Sequence, residues 1–337
     1  MPPHGSDDGQ RAAEPAVVVR GLVKRYGGTD VVRGIDFEVA AGEVFGFLGP
    51  NGAGKSTTIN MLCTLVQPTA GSALVAGHDV VAERDDVRRH IGLVFQDTTL
   101  DGYLTAEQNL RLHAELYGVP RSVVESRIRG MLEMVELWDR RASLVNTFSG
   151  GMKRRLEIGR GLLHSPRVLF LDEPTIGLDP QTRLSIWTYI HDLKRREDIT
   201  IFLTTHDMEE AEYCDRIAIM DRGEIIVLDT PAALKARVGA DRVQIRTDDD
   251  DRAITALREG FGIEARIAEG AVTFNVQGGE EFVPRLFAQL GVPIRAISLS
   301  RPSLDDVFMS YTGTTIRDAE ASSTDRNRAM ARAMGRG

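Results

Sequence analysis

The nine residues from Gly49 to Thr57, GPNGAGKST, constrain this chain more than any other segment. They fit the pattern G-x-x-x-x-G-K-[ST], in which glycines let the backbone wrap a phosphate and turn successive N–H groups toward it. Gly49, Gly54, Lys55 and Ser56 hold the defining positions, and Pro50, Asn51, Gly52, Ala53 and Thr57 complete the cradle. The pattern assigns Lys55 to the β- and γ-phosphates and the Ser56 hydroxyl to Mg²⁺. Both flanks suit it. Residues Val44 to Leu48 form an apolar run of the buried-strand kind. From Thr58 to Val66, Ile59, Leu62, Cys63 and Val66 recur at helical spacing, with Pro68 expected to stop the helix. By itself the loop leaves GTPases, kinases, helicases and transport motors open.

The sequence divides by composition into four parts. Residues 1–15 are polar and acidic and read as a disordered tail, without the apolar stretch of a signal peptide. Residues 16–231 read as a nucleotide-binding domain of α/β type, interrupted by a helical insertion at about 97–165. In that insertion Thr105-Ala106-Glu107-Gln108 has the form of a capping box, and a second helix is expected from Ser122 to Glu136. Residues 232–311 follow the order β-α-β-β-α-β, which predicts a small ferredoxin-like accessory or regulatory domain. Residues 312–337 read as a second disordered tail. The net charge of −8 argues against general nucleic-acid affinity. No run approaches the roughly 20 apolar residues that span a bilayer, so membrane contact is expected only through a partner. Cys63 and Cys214 lack metal-ligand spacing and read as buried residues of a reducing compartment.

Two further motifs carry chemistry. Val168 to Leu171 is an aliphatic run ending in Asp172 and Glu173, which places Asp172 beside the Mg²⁺ and Glu173 beside the attacking water. Between the phosphate loop and these acids lies Phe148-Ser149-Gly150-Gly151-Met152, an anion-ready helix start. Here the chain resembles the ATP-binding subunits of ABC transporters, whose signature loop reads LSGGQ. Phe148 replaces the Leu, and Met152 replaces the Gln and removes a side-chain amide.

The resemblance covers roughly Val17 to Pro231 and implies an ABC cassette with its helical insertion. It matches Gln96 to the glutamine that senses Mg²⁺ and links the core to the insertion. It matches Asp179 to the loop that communicates across the dimer, His206 to the switch histidine near the γ-phosphate, and Tyr26 to the aromatic that stacks on adenine. It further implies a head-to-tail homodimer, with each ATP held between Lys55 of one copy and Ser149-Gly150-Gly151 of the other. The FSGGMKRR variant, Met61 to Leu65 and Arg301 to Phe308 resemble the daunorubicin-resistance type of exporter ATPase. That subfamily implies an ABC-2-type membrane permease as partner, a location at the cytoplasmic face of the membrane, and efflux of a drug, antibiotic or lipid-like compound. The alternative is a soluble ATPase of the same family acting on ribosomes or DNA. Such proteins usually carry two cassettes or a long coiled-coil insertion, and neither is visible here.

Overall fold

The computed structural model describes residues 14–313 apart from 197, 198, 240 and 269. Except for residues 14–15 and 312–313, the two expected tails lie outside the described residues. The chain forms two compact units that divide between Leu228 and Asp229.

In the first unit, β1 (Val17–Tyr26) and β2 (Thr29–Val39) lead into β3 (Val44–Leu48), the phosphate loop and α1 (Lys55–Leu62). Next come β4 (Ala70–Val75), β5 (His78–Asp79), α2 (Arg84–His90) and β6 (Ile91–Val94). The insertion supplies α3 (Ala106–Leu116), α4 (Arg121–Met134) and α5 (Gly150–Leu162). Then β7 (Val168–Asp172), α6 (Pro180–Arg196), β8 (Thr200–Thr205), α7 (Met208–Ala211), β9 (Arg216–Asp221) and β10 (Glu224–Asp229) follow.

One sheet has the order β10-β9-β3-β8-β7-β6, and its strands from β9 to β6 pair in parallel. Strands β3, β7 and β8 are buried along their whole length, which is why apolar residues in them follow one another instead of alternating with polar ones. Register sets Leu48 opposite Thr205, Thr204 opposite Asp172, and Leu171 opposite Val94. The phosphate loop, both acids, His206 and Gln96 therefore all leave from the carboxyl edge of one sheet, where open α/β sheets bind ligands. A second, antiparallel sheet of order β2-β1-β4-β5 packs against this core. Phe37 on β2 meets Phe47 of β3 at a centroid distance of 5.1 Å, and Phe47 meets Phe202 of β8 at 5.0 Å. Phe170 of β7 closes the cluster, 5.3 Å from Phe202.

The insertion has its own core, with Leu110, Ile128, Leu132, Leu156 and Phe148 buried together. Thr105 and Gln108 cap α3 reciprocally, as their spacing predicts. One expectation fails here. The helix that the phosphate loop opens runs from Lys55 and ends at Leu62, short of the stop expected at Pro68. Thr64 takes a left-handed φ of 63°, and the amides of Leu65 and Val66 both close on the Asn60 carbonyl at 2.9 and 3.1 Å. The turn thus satisfies the last carbonyls before proline is reached.

The second unit contains α8 (Pro231–Val238), β11 (Asp241–Thr247), α9 (Asp250–Phe261), β12 (Arg266–Ala268), β13 (Ala271–Val276), α10 (Gly279–Gln289), β14 (Ile294–Ser300) and α11 (Leu304–Thr312). Its antiparallel sheet has the order β12-β13-β11-β14, and β11 to β14 with their two helices follow the expected ferredoxin-like succession. Val243, Ile245, Leu257, Val272, Phe274 and Leu286 form its core. Ser303 and Asp306 cap α11 reciprocally, and α11 packs on α8.

Candidate active site

The phosphate loop is fixed by what its glycines leave out. A side chain at Gly49 would meet the Met220 carbonyl at 2.1 Å, and Gly54 takes a φ of +107° that favours glycine alone. Asn51 and Gly52 are exposed, whereas Pro50, Ala53 and Lys55 are buried and Ser56 and Thr57 are half-buried. The Lys55 ammonium donates to the carbonyls of Gly49 at 2.6 Å and Pro50 at 3.2 Å. It also lies 3.7 Å from Glu173 Oε1. Ser56 Oγ donates to Asp172 Oδ1 at 3.1 Å, and the Thr204 hydroxyl donates to the same oxygen. The hydroxyl and carboxylate of Ser56 and Asp172 are hard oxygen donors brought together at the loop, which is the donor set that Mg²⁺ takes.

Glu173 is 5% exposed and adopts a left-handed φ of 46°, which costs a non-glycine residue about 1–3 kcal/mol unless neighbours hold it. Here they do: its amide donates to Thr204 O at 3.2 Å and to Thr204 Oγ1 at 3.1 Å. His206 Nδ1 stands 3.3 Å from Glu173 Oε2, so the carboxylate lies between Lys55 and His206. Burial pushes the Glu173 carboxyl up, but the His206 contact and the Lys55 charge outweigh it and hold the group below its ordinary value. Glu173 is accordingly ionised at neutral pH.

The remaining residues singled out from sequence stand on neighbouring loops. Ser149 caps α5, its hydroxyl accepting from the Met152 amide at 3.3 Å. Ser149, Gly151 and Met152 line a shallow cleft of about 240 Å³ with Gln181 and Thr182, and no phosphate-loop residue lines it. Asp179 accepts from the Thr182 hydroxyl at 2.6 Å and the Thr182 amide at 3.0 Å, contacts that hold its carboxyl below the usual range. Gln96 is exposed, two residues beyond β6. Tyr26 ends β1, is 47% exposed, and carries the Lys24 ammonium 4.8 Å from its ring centroid. The contacts described so far join Lys55, Ser56, Asp172, Glu173 and His206 with Thr204. Sequence motifs did not point to Thr204; its signal is a hydroxyl within a strand that is otherwise buried and largely apolar.

The ABC transporter family model matches residues 32–176, and the C-terminal domain model of DrrA1-3-like ATP-binding proteins matches residues 230–312. The chain is 39% identical over 316 residues to the daunorubicin resistance ATP-binding protein DrrA3 of Streptomyces coeruleorubidus, covering 92% of this chain and 99% of that one. It belongs to the ABC transporter ATP-binding family, in the daunorubicin-resistance group. The linearmycin resistance ATP-binding protein LnrL of Bacillus subtilis is 37% identical across 88% of this ABC protein and 98% of its own length. The Nod factor export ATP-binding protein I of Ralstonia nicotianae is 38% identical across 90% and 96%. Among solved structures, cbiO1 of Clostridium perfringens, part of an ABC transporter complex, matches with a TM-score of 0.62 and 30% identity. It covers 66% of this chain and 91% of that one. A dimeric cassette in a post-hydrolysis state, bound to ADP and Pi, matches with a TM-score of 0.57 and 28% identity over 64% of this chain and 98% of that one. The protein is thus an ABC-type ATPase, with ATP as its nucleotide. Among its described residues, no helix is long and apolar enough to cross a membrane.

Proposed function

We propose that this ATPase powers export of a drug, antibiotic or lipid-like compound through a separate ABC-2-type permease, working at the cytoplasmic face of the membrane as a head-to-tail homodimer. Lys55 and the loop amides hold the β- and γ-phosphates, with Tyr26 stacked on adenine. Glu173 takes the proton of the attacking water, and His206 orients the γ-phosphate against it. Ser56 and Asp172, with Gln96, would hold Mg²⁺, which would supply charge neutralisation for phosphoryl transfer. Ser149, Gly150 and Gly151 of the second copy close over the same ATP, while Asp179 links the two sites and Gln96 links each to the permease. Closure excludes water and completes the site.

One observation carries the dimer reading. The Lys55–Glu173–His206 cluster and the Ser149–Gly151 cleft are both formed on one chain, yet the cleft has no phosphate-loop wall. Pairing two copies supplies each with the other. Export is supported by relatives named for drug resistance and for Nod factor export. Glu173→Gln should abolish turnover while keeping ATP binding and accumulating an ATP-bound dimer on size exclusion. Lys55→Ala should weaken ATP binding itself. Near-normal hydrolysis by Glu173→Gln would sink the assignment.

A further inference from the structure

The helix that begins at the signature loop also grips the backbone of the catalytic acids. Arg154, just past the first turn of α5, is 6% exposed. Its guanidinium donates to four carbonyls on two separate segments. Nη1 reaches Phe95 at 2.5 Å; Nη2 reaches Asp172 at 3.1 Å and Glu173 at 3.3 Å; Nε reaches Pro174 at 2.6 Å. Glu157, one turn further and 1% exposed, pairs with Arg154 Nη1 at 3.3 Å. Its other oxygen accepts the Thr99 amide at 2.7 Å. Arg160, another turn on, donates to the Thr99 carbonyl at 3.0 Å and to the Thr99 hydroxyl. Residues 154, 157 and 160 share one face of α5. That face therefore holds the loop at Phe95 and at Thr99, and Gln96 lies between the two grips.

We propose that Arg154 and Glu157 form a strut through which the signature helix sets the positions of Glu173 and Gln96, making Arg154 a positioning residue for hydrolysis. This rests on the roles given above to those two residues. A buried guanidinium must satisfy all of its donors, and what distinguishes Arg154 is where they go. Arg154 spends its remaining donors on the peptide units that aim Glu173 and on the one that precedes Gln96. Any shift of α5 relative to the sheet must either move both or break charged hydrogen bonds in a dry site, where unmet donors are costly. A lysine keeps the charge but not the fork, so a single ammonium cannot span both segments.

The test is Arg154→Lys in the full chain. Its ATPase kinetics and thermal unfolding are measured, together with hydrogen exchange in the ATP-bound Glu173→Gln background. The charge pair with Glu157 persists but most of the carbonyl contacts are lost, so the melting temperature falls, while at temperatures where the variant is folded KM for ATP stays within about threefold and kcat falls about 100-fold. Exchange at Gln96 to Thr99 rises. Should this variant fail to fold, Arg154→Met combined with Glu157→Gln removes both buried charges and is expected to show the same kcat loss. A folded variant with kcat within about threefold of wild type overturns the strut. So does a parallel fall of kcat, ATP affinity and melting temperature with unchanged exchange. If Glu173→Gln itself hydrolyses ATP near the wild-type rate, the base assignment falls, and exchange at Gln96 to Thr99 still decides the strut.

Discussion

Replacing Thr204 with valine removes one hydroxyl and leaves the shape of a fully buried strand position unchanged. That hydroxyl donates to Asp172 Oδ1 and accepts from the Glu173 amide at 3.1 Å. The amide keeps the Thr204 carbonyl at 3.2 Å, and Asp172 keeps Ser56 at 3.1 Å, so neither partner is fully orphaned. A hydrogen bond to a charged group is worth about 1.5–3 kcal/mol and a neutral one about 0.5–1.5, so the loss should be roughly 2–4 kcal/mol. For a unit of this size, that lowers the melting temperature by roughly 4–16 °C. Activity should fall further than stability. Thr204 holds the left-handed Glu173 backbone, and a misplacement near 1 Å can cost on the order of 100-fold in kcat. Calorimetry and steady-state ATPase assays on Thr204→Val measure both. Unchanged melting together with unchanged kcat would refute the claim that this hydroxyl positions the acids.

Other perturbations probe the core and the switch region. Phe202→Ala empties the centre of the aromatic cluster and should cost about 3–5 kcal/mol in denaturant unfolding, with little effect on KM for ATP at temperatures where it is folded. Glu210, buried beside His206, accepts from Thr205 Oγ1 at 2.6 Å, and burial raises its carboxyl from 4.5 to about 7. An acid with a raised folded value stabilises fully below its unfolded value and loses that contribution as pH rises through the folded one. Wild type should therefore lose on the order of 3 kcal/mol more than Glu210→Gln between pH about 4.5 and 7. Equal slopes in the two proteins would contradict the raised value.

The phosphate loop was legible because its chemistry leaves so little choice. Gly49 and Gly54 occupy positions that no other residue fits without displacing backbone, so the local sequence and the local structure are nearly the same statement. The apolar runs at Val44, Val168 and Thr200 were equally plain, since parallel strands buried on both faces must be continuous. Alternation and capping residues were enough to lay out the ferredoxin-like unit. What the sequence hid is set by register. Thr204 matters because β8 pairs with β7 so that its hydroxyl meets Asp172, and pairing between strands 32 residues apart leaves no local trace. Arg154 reads in sequence as one more basic residue of a helix, and only the fold brings it under Phe95 and Pro174. The early end of α1 came from a left-handed threonine, a conformation that no propensity favours. Asp179 turned out to be engaged by Thr182 at the start of α6, a local role visible beside the one its motif implies.

An active site shared between two copies is tested most directly by mixing two inactive variants. Lys55→Ala disables the phosphate loop and keeps the signature loop, whereas Ser149→Arg does the reverse. A mixed dimer then contains one site with an intact loop from each chain. Restored ATP turnover in the mixture, absent from either variant alone, is the predicted result. Activity no greater than the sum of the two separate variants, with mixed dimers shown to form, would contradict it.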